Sequence, residues 1–329
     1  MSRIRNAQKE GKLFLNPIPT SQKLKGGMWR LLWKYMTSKE ERIPKNPLGP
    51  FKTDPDIYKI PPASGLRITW MGHSSLLIEI DGRRILTDPV WGPRASFSSF
   101  IGPKRFFPAP LSLDHMPELD AIILSHDHYD HLDYPTIKKL THTNTPVYCS
   151  LGVGGIIEKW GINKSRITEM DWGHKIMIGN DCTITATPAR HFSGRGLTNR
   201  NQTLWSSFVI KGSHHTIFFG ADSGWFPGFK DIGDEYGPFD LTLLETGAYG
   251  EGWPDIHMGP EKATEAHLAL RGKIMMPIHW GTFNLALHSW REPVELLTKF
   301  AVQKNIPLFL PAPGLPTEIT GPHNSNWWI

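Results

Sequence analysis

At 329 residues, 39% hydrophobic and 20% charged, the chain has the composition of a soluble globular protein, one elaborated domain or two small ones. It has no run of 18 apolar residues and no apolar stretch in its first 20, which excludes a transmembrane helix and a secretory signal from the expectations; Cys149 and Cys182 read as buried free thiols suited to a reducing cytoplasm. The net charge of +5 is uneven: residues 1–45 hold 11 Lys and Arg against Glu10, Glu40 and Glu41, so this end either seeks phosphates or is a solvated tail.

Residues 1–65, rich in Pro, Lys and Asn, are expected to form a basic extended arm with one short helix. Between Met28 and Met36, helical spacing puts Trp29, Leu32, Trp33 and Met36 on one face and Arg30 and Lys34 on another. Large aromatics flanked by Lys and Arg suit a helix lying at a membrane surface, with the protein cytoplasmic or peripheral on that membrane. The competing readings are a helix packed on its own domain or on a partner subunit, the latter giving a homodimer.

From Leu66 the texture changes to short strands and tight turns. Strands are predicted at 67–70, 75–80, 84–87, 121–124, 147–149, 175–178, 183–187, 204–210, 216–219, 241–244 and 274–277, with Asp81-Gly82 a hairpin signal between two of them. Helices are predicted near 135–140, 155–160, 260–271 and 293–304. The mixture predicts an α/β protein with two mixed β-sheets flanked by helices, residues 66–329 forming one catalytic domain without internal repeats.

The chemistry concentrates in His126-Asp127-His128-Tyr129-Asp130-His131, just after the apolar strand 121–124. Imidazole and carboxylate are natural zinc ligands. In an extended segment His126, His128 and Asp130 would point one way and His131 the other, so the loop must curl at its end for all four to serve. A dinuclear site suits them, His126 and His128 on one metal and Asp130 and His131 on the other. Four residues cannot complete two shells, and later polar residues that close apolar strands are the candidates: His191, Asp222 and His279.

Together these residues resemble the metallo-β-lactamase superfamily, whose hallmark is His-x-His-x-Asp-His followed by a distant His, an Asp and a last His. Within it the chain is most similar to the N-acyl-phosphatidylethanolamine-hydrolysing phospholipase D group and its bacterial relatives. The similarity runs from Phe14-Leu-Asn-Pro through Trp70-Met-Gly-His-Ser-Ser75 and Ile101-Gly-Pro-Lys-Arg-Phe106 to His279-Trp-Gly-Thr-Phe283.

The resemblance implies an αββα sandwich of the metallo-β-lactamase fold and two Zn²⁺ with a water or hydroxide between them. It puts His126, His128 and His191 on one ion, Asp130, His131 and His279 on the other, and Asp222 between the two. His257, in Asp-Ile-His-Met-Gly-Pro-Glu, matches an active-site histidine that contacts phosphate or assists the leaving group. His73 is expected to be buried in a supporting role. The remaining histidines fit no ligand pattern. The chain departs from the family in Gly220-Ala-Asp-Ser-Gly, in Trp225 where the mammalian enzymes have tyrosine, and in Glu245, an acid near the site expected to alter substrate charge preference.

The expected function is a phosphodiesterase of phospholipase D type that releases an N-acylethanolamine and phosphatidic acid, with a phospholipid or other phosphodiester as its partner. The alternative is a hydrolase of a soluble substrate, a lactone or sugar phosphate. A flavodiiron oxygen reductase would have Glu at the position of His128 and a further flavodoxin domain. A nuclease of this superfamily would need an inserted domain, so no nucleic-acid partner is expected. Serine-hydrolase chemistry lacks its Gly-x-Ser-x-Gly, and there is no P-loop.

Overall fold

The computed structural model describes residues 4–22, 24–196 and 198–329; residues 1–3, Lys23 and Leu197, and the side chains of Met28 and Leu31, lie outside that description. Its first sheet is built from β1 (Leu66–Gly72), β2 (Ser75–Ile80), β3 (Arg83–Thr87), β4 (Ala121–Leu124), β5 (Val147–Ser150) and β6 (Ile167–Met170). The second comprises β7 (Lys175–Ile178), β8 (Cys182–Pro188), β9 (Ser206–Lys211), β10 (Thr216–Phe219), β11 (Phe239–Glu245) and β12 (Gly272–Ile278). A last strand, β13 (Thr317–Glu318), returns to pair with β1, so the sheets run β13-β1-β2-β3-β4-β5-β6 and β12-β11-β10-β9-β8-β7.

Each sheet is antiparallel where hairpins join its strands and parallel where helices intervene. The side-chain period of two explains the layering. On β2, Leu76, Ile78 and Ile80 face the interior between the sheets together with Ile184, Phe208 and Ile210, while Leu77 faces outward. That outer face is covered by α2 (Tyr134–Leu140) and α3 (Val153–Lys159) through Ile137, Leu140, Val153 and Ile157. On the other side Val209, Phe218 and Leu244 pack under α4 (Gly228–Tyr236), α5 (Gly259–Ala269) and α6 (Glu292–Gln303). The result is the expected αββα sandwich of two mixed sheets.

The described residues of the first 65 are laid over this domain. Phe14 is buried and donates its amide to Asn201 O at 2.8 Å; Tyr58 is buried with its hydroxyl donating to Thr69 Oγ1 at 2.8 Å; Thr53 Oγ1 donates to Gly314 O. The helix here, α1 (Gly27–Thr37), is the exception in orientation. Its contact with the domain is a surface ion pair, Lys34 Nζ lying 2.6 Å from Glu251 Oε2, while Trp29, Trp33 and Met36 are 85%, 65% and 73% exposed. Packing of the apolar face on its own domain is therefore excluded. No helix among the described residues is long and apolar enough to cross a membrane.

Candidate metal centre

The topology sends one set of strand ends to one edge. β1, β3 and β4 are mutually parallel, as are β8, β10, β11 and β12, and each delivers a polar residue at or just past its carboxyl end. In chain order these are His73, Asp88, His126, His191, Asp222, Glu245 and His279. Carboxyl ends of parallel strands are where open α/β sheets place their ligands, because the chain turns there and leaves a crevice. His73, Asp88 and His279 adopt left-handed backbone, with φ of 56°, 35° and 63°, which costs conformational energy and persists only when the surroundings impose it. Gly247 lets β11 close against this edge: a Cβ there would lie 2.1 Å from His279 O.

The six-residue run curls as the geometry requires. His131 N and Leu132 N both donate to His128 O, at 3.1 and 2.8 Å, and Asp133 then caps α2 by accepting Thr136 N. Arg195 staples the curl from the facing loop, its Nη1 donating to Asp127 O and Leu132 O, both at 2.7 Å.

Eight side chains converge in two groups of four. His126 Nε2 and His191 Nε2 lie 2.9 and 3.3 Å from His128 Nδ1, with Asp222 completing a cluster of four donors within 4.8 Å of one another. Asp130, His131, His279 and His73 form the second such cluster. Asp222 stands between them. Its Oδ1 is 3.1 Å from His131 Nε2, and its Oδ2 is 3.1 Å from His279 Nε2 and 3.5 Å from His191 Nε2. All of the sequence-predicted ligand candidates are thus brought together. His73 is buried as expected, yet its Nε2 is 2.9 Å from Asp130 Oδ2, closer to the centre than a purely structural residue would stand.

The donor atoms fit a metal better than they fit one another. His131 Nε2, His279 Nε2 and Asp222 Oδ1 are buried and without a hydrogen bond, although they face each other at contact distance. Burial holds His126 and His191 well below the ordinary imidazole range, with neighbouring rings adding to the effect for both, and it also lowers His128. Burial opposes charge on His131 and His279 too, but Asp222 and Asp130 outweigh it, raising His131 far above its ordinary value and His279 to about 10. The same pairs hold Asp130 and Asp222 well below the carboxylate range against the cost of their burial. The buried carboxylate of Asp222 and the largely covered one of Asp130 therefore demand cationic partners, and with neutral imidazoles as ligands divalent metal ions would supply that charge.

Supporting contacts orient the donors, and sequence reasoning missed most of them. Asp88 accepts Ser125 N and Ser125 Oγ at 2.7 and 2.6 Å and lies 2.7 Å from His131 Nδ1, leaving Nε2 to face the centre. His191 Nδ1 sits 2.9 Å from Ile256 O. From the amino-terminal arm, Asn16 Nδ2 donates to His191 O at 2.7 Å and Asn16 Oδ1 accepts His191 N at 2.9 Å. Asp88 carried the same signal as Asp222, a polar residue closing an apolar strand. Asn16 carried none.

The clusters open into a pocket of about 320 Å³ lined by His128, Asp130, Asp222, His257 and His279, with Phe192, Arg200, Leu24 and Trp253 around its mouth. His257 Nδ1 is held 2.5 Å from Glu245 Oε2, so Nε2 is the atom left for the pocket. Trp253 and Leu285 are shared with a neighbouring groove of about 850 Å³, lined by Ile43, Pro47, Phe106 and Leu287 together with Lys45, Arg94 and Lys104.

A sequence model described as a beta-lactamase superfamily domain matches residues 83–280. An uncharacterized protein of Mycobacterium tuberculosis is 42% identical over 96% of this chain and 85% of its own length. The N-acyl-phosphatidylethanolamine-hydrolyzing phospholipase D 1 of Caenorhabditis elegans is 39% identical over 67% of this chain and 65% of its own. Among solved structures, isothiocyanate hydrolase from Delia radicum gut bacteria superposes with a TM-score of 0.62 at 19% identity, over 76% of this chain and 98% of that one. A metallo hydrolase from Ignicoccus hospitalis does so with 0.59 at 21%, over 77% and 97%. At such identities the structures speak for the fold alone.

Proposed function

The chain belongs to the beta-lactamase superfamily as a metal-dependent hydrolase, and from that premise we propose that it is a dinuclear zinc phosphodiesterase of phospholipase D type. Its proposed substrate is an N-acyl-phosphatidylethanolamine, cleaved to an N-acylethanolamine and phosphatidic acid. The observation that carries this reading is the groove of apolar and cationic side chains that joins the donor pocket at Trp253 and Leu285, a shape suited to an anionic amphiphile rather than a compact polar molecule. The likeness to the C. elegans phospholipase D supports it independently.

In this proposal His126, His128 and His191 would hold one ion and Asp130, His131 and His279 the other, with Asp222 available to either. His-rich ligation favours zinc. When bound, the pair supplies a water of low pKa and Lewis-acid stabilisation of charge growing on phosphoryl oxygen. Asp88, Ser125 and Asn16 keep the donors aimed. Arg200, at the pocket mouth with its Nε donating to Gln22 Oε1 at 2.8 Å, presents a cation to the phosphate, and His257 Nε2 faces the oxygen that departs.

The proposed surface partner is an anionic membrane. Besides α1, a second exposed apolar segment lies across the groove: Phe97, Phe100 and Ile101 are 78%, 85% and 67% exposed on the loop closed by the Arg94–Lys104 bridge. Leaving such side chains in water forgoes about 1.5–3 kcal/mol each, and the cations between the two segments complement anionic headgroups.

The test is product analysis with metal-quantified protein on N-acyl phospholipids, other phosphodiesters, lactones and sugar phosphates, each with and without chelator. Chelator-sensitive release of N-acylethanolamine from vesicles is the expected result. Turnover confined to a lactone or sugar phosphate would replace this reading with the soluble-substrate one.

A further inference from the structure

Glu245 closes β11 and is fully buried. Its Oε1 accepts the Met258 amide at 2.9 Å, at the start of α5, and its Oε2 lies 2.5 Å from His257 Nδ1. Among the described residues, His257 is the only basic side chain paired with it. A carboxylate removed from water persists only when paired or hydrogen-bonded, so the geometry couples this acid to one imidazole. With Oε2 on Nδ1, that nitrogen carries the hydrogen. The ring stands over the donor clusters, its centroid 5.1 Å from that of His191 and 5.3 Å from that of His279. A cap for α5 would need Oε1 alone; the second contact has no such purpose.

We propose that Glu245 is a positioning residue that holds the Nδ1–H of His257 and so aims its Nε2–H at the oxygen leaving phosphorus, an inference that rests on the phosphodiesterase reading above. Water adds to phosphorus, and one P–O bond forms as the P–O bond to the alkoxy group breaks. The departing oxygen takes the proton from His257 Nε2 and leaves as an alcohol; the ring recovers the proton given up by the attacking water. Glu245 faces the imidazole throughout and keeps it from rotating out of line, the role a carboxylate plays behind a catalytic histidine in acyl transfer.

The experiment compares metal-loaded wild type, Glu245→Gln, His257→Asn and the double variant on two soluble phosphodiesters, one releasing an alkyl alcohol and one releasing p-nitrophenol. Glutamine keeps the volume and the Met258 contact but turns an NH₂ group toward Nδ1. Glu245→Gln should lower kcat on the alkyl diester by about 10–100-fold with KM little changed, and on the nitrophenyl diester by less than about 3-fold, because that oxygen departs without a proton. In the His257→Asn background it should add nothing. Proton NMR of the metal-loaded protein should show a strongly deshielded Nδ1–H resonance that both single variants lose. Equal losses on the two diesters, additive effects in the double variant, or a resonance unchanged in Glu245→Gln would overturn the proposal. Should wild type turn over neither diester, the phosphodiesterase reading itself fails, and the resonance still decides whether Glu245 holds Nδ1.

Discussion

Asn16 grips His191 by both sides of its backbone: the amide Nδ2 donates to His191 O at 2.7 Å while Oδ1 accepts His191 N at 2.9 Å, across 175 residues of chain. A few residues on, Arg190 Nε donates to Thr20 Oγ1 at 3.0 Å and its Nη2 to Pro19 O at 3.1 Å, so the arm and the loop after β8 form one unit. The loop carrying a donor of the first cluster is thus held from outside the sheet that delivers it.

Replacing Asn16 with alanine should therefore loosen one donor without unfolding the chain. Removing a partner that orients a metal ligand lowers metal affinity by about 10–100-fold, and two lost hydrogen bonds remove about 1–3 kcal/mol of stability. Titration of metal content against a competing chelator measures the first effect and thermal melting the second. An unchanged affinity would mean that His191 needs no such support.

Metal removal tests the centre directly. Asp222 contacts donors from both clusters, so Asp222→Asn should cut zinc per chain and lower kcat by more than about 10²-fold, whereas His126→Ala should weaken chiefly one ion. Elemental analysis with chelation and zinc re-addition reads both outcomes. A variant that keeps two ions and full turnover would show that Asp222 is not shared.

The exposed apolar segments predict a vesicle phenotype. Phe97, Phe100 and Ile101 changed together to serine, or Trp29 and Trp33 to alanine, should reduce binding to anionic vesicles by about 10²-fold or more, with added salt weakening wild-type binding further. Turnover of a soluble diester should be untouched. Point changes are the right tool, because deleting the arm would also remove Asn16. Vesicle sedimentation unaffected by either set would leave α1 for a partner subunit.

His267 predicts a pH-dependent loss of stability far from the centre. It is buried on α5 with Nδ1 2.8 Å from Thr242 Oγ1, and burial pushes the ring down to about 4. The folded state holds the neutral ring, so the unfolded chain, titrating near 6.5, takes up the proton first. This contribution is fully present above about pH 6.5 and fades as pH falls toward 4, amounting to about 2 kcal/mol between about pH 7.5 and about pH 5. Denaturant melts of chelated protein at both pH values should show a smaller difference for His267→Gln than for wild type. Equal differences would place the acid sensitivity elsewhere.

Much of the fold was legible in the chain because alternation and turn chemistry are local. The strands 75–80, 121–124, 175–178 and 216–219 lie where apolar patterning predicts them. Three labelled elements escaped, the two-residue β13 among them. β6 reads Ile-Thr-Glu-Met, an edge strand only partly buried, so its pattern is weak. α4 begins Gly-Phe-Lys after Pro227 without a side-chain cap, and its buried Phe229, Ile232 and Gly233 give too short a stripe to stand out.

The run from His126 to His131, and the polar residues that close strands at His191, Asp222 and His279, were readable in the sequence by itself, since residue type and strand-end position are properties of short segments. That Asp88 and Asn16 aim the donors, that Glu245 meets His257, and that α1 turns its tryptophans outward were decided only in three dimensions. The physical reason is register between distant strands: periodicity states that a helix or strand has two faces, but only the packing of the sheets determines what each face meets.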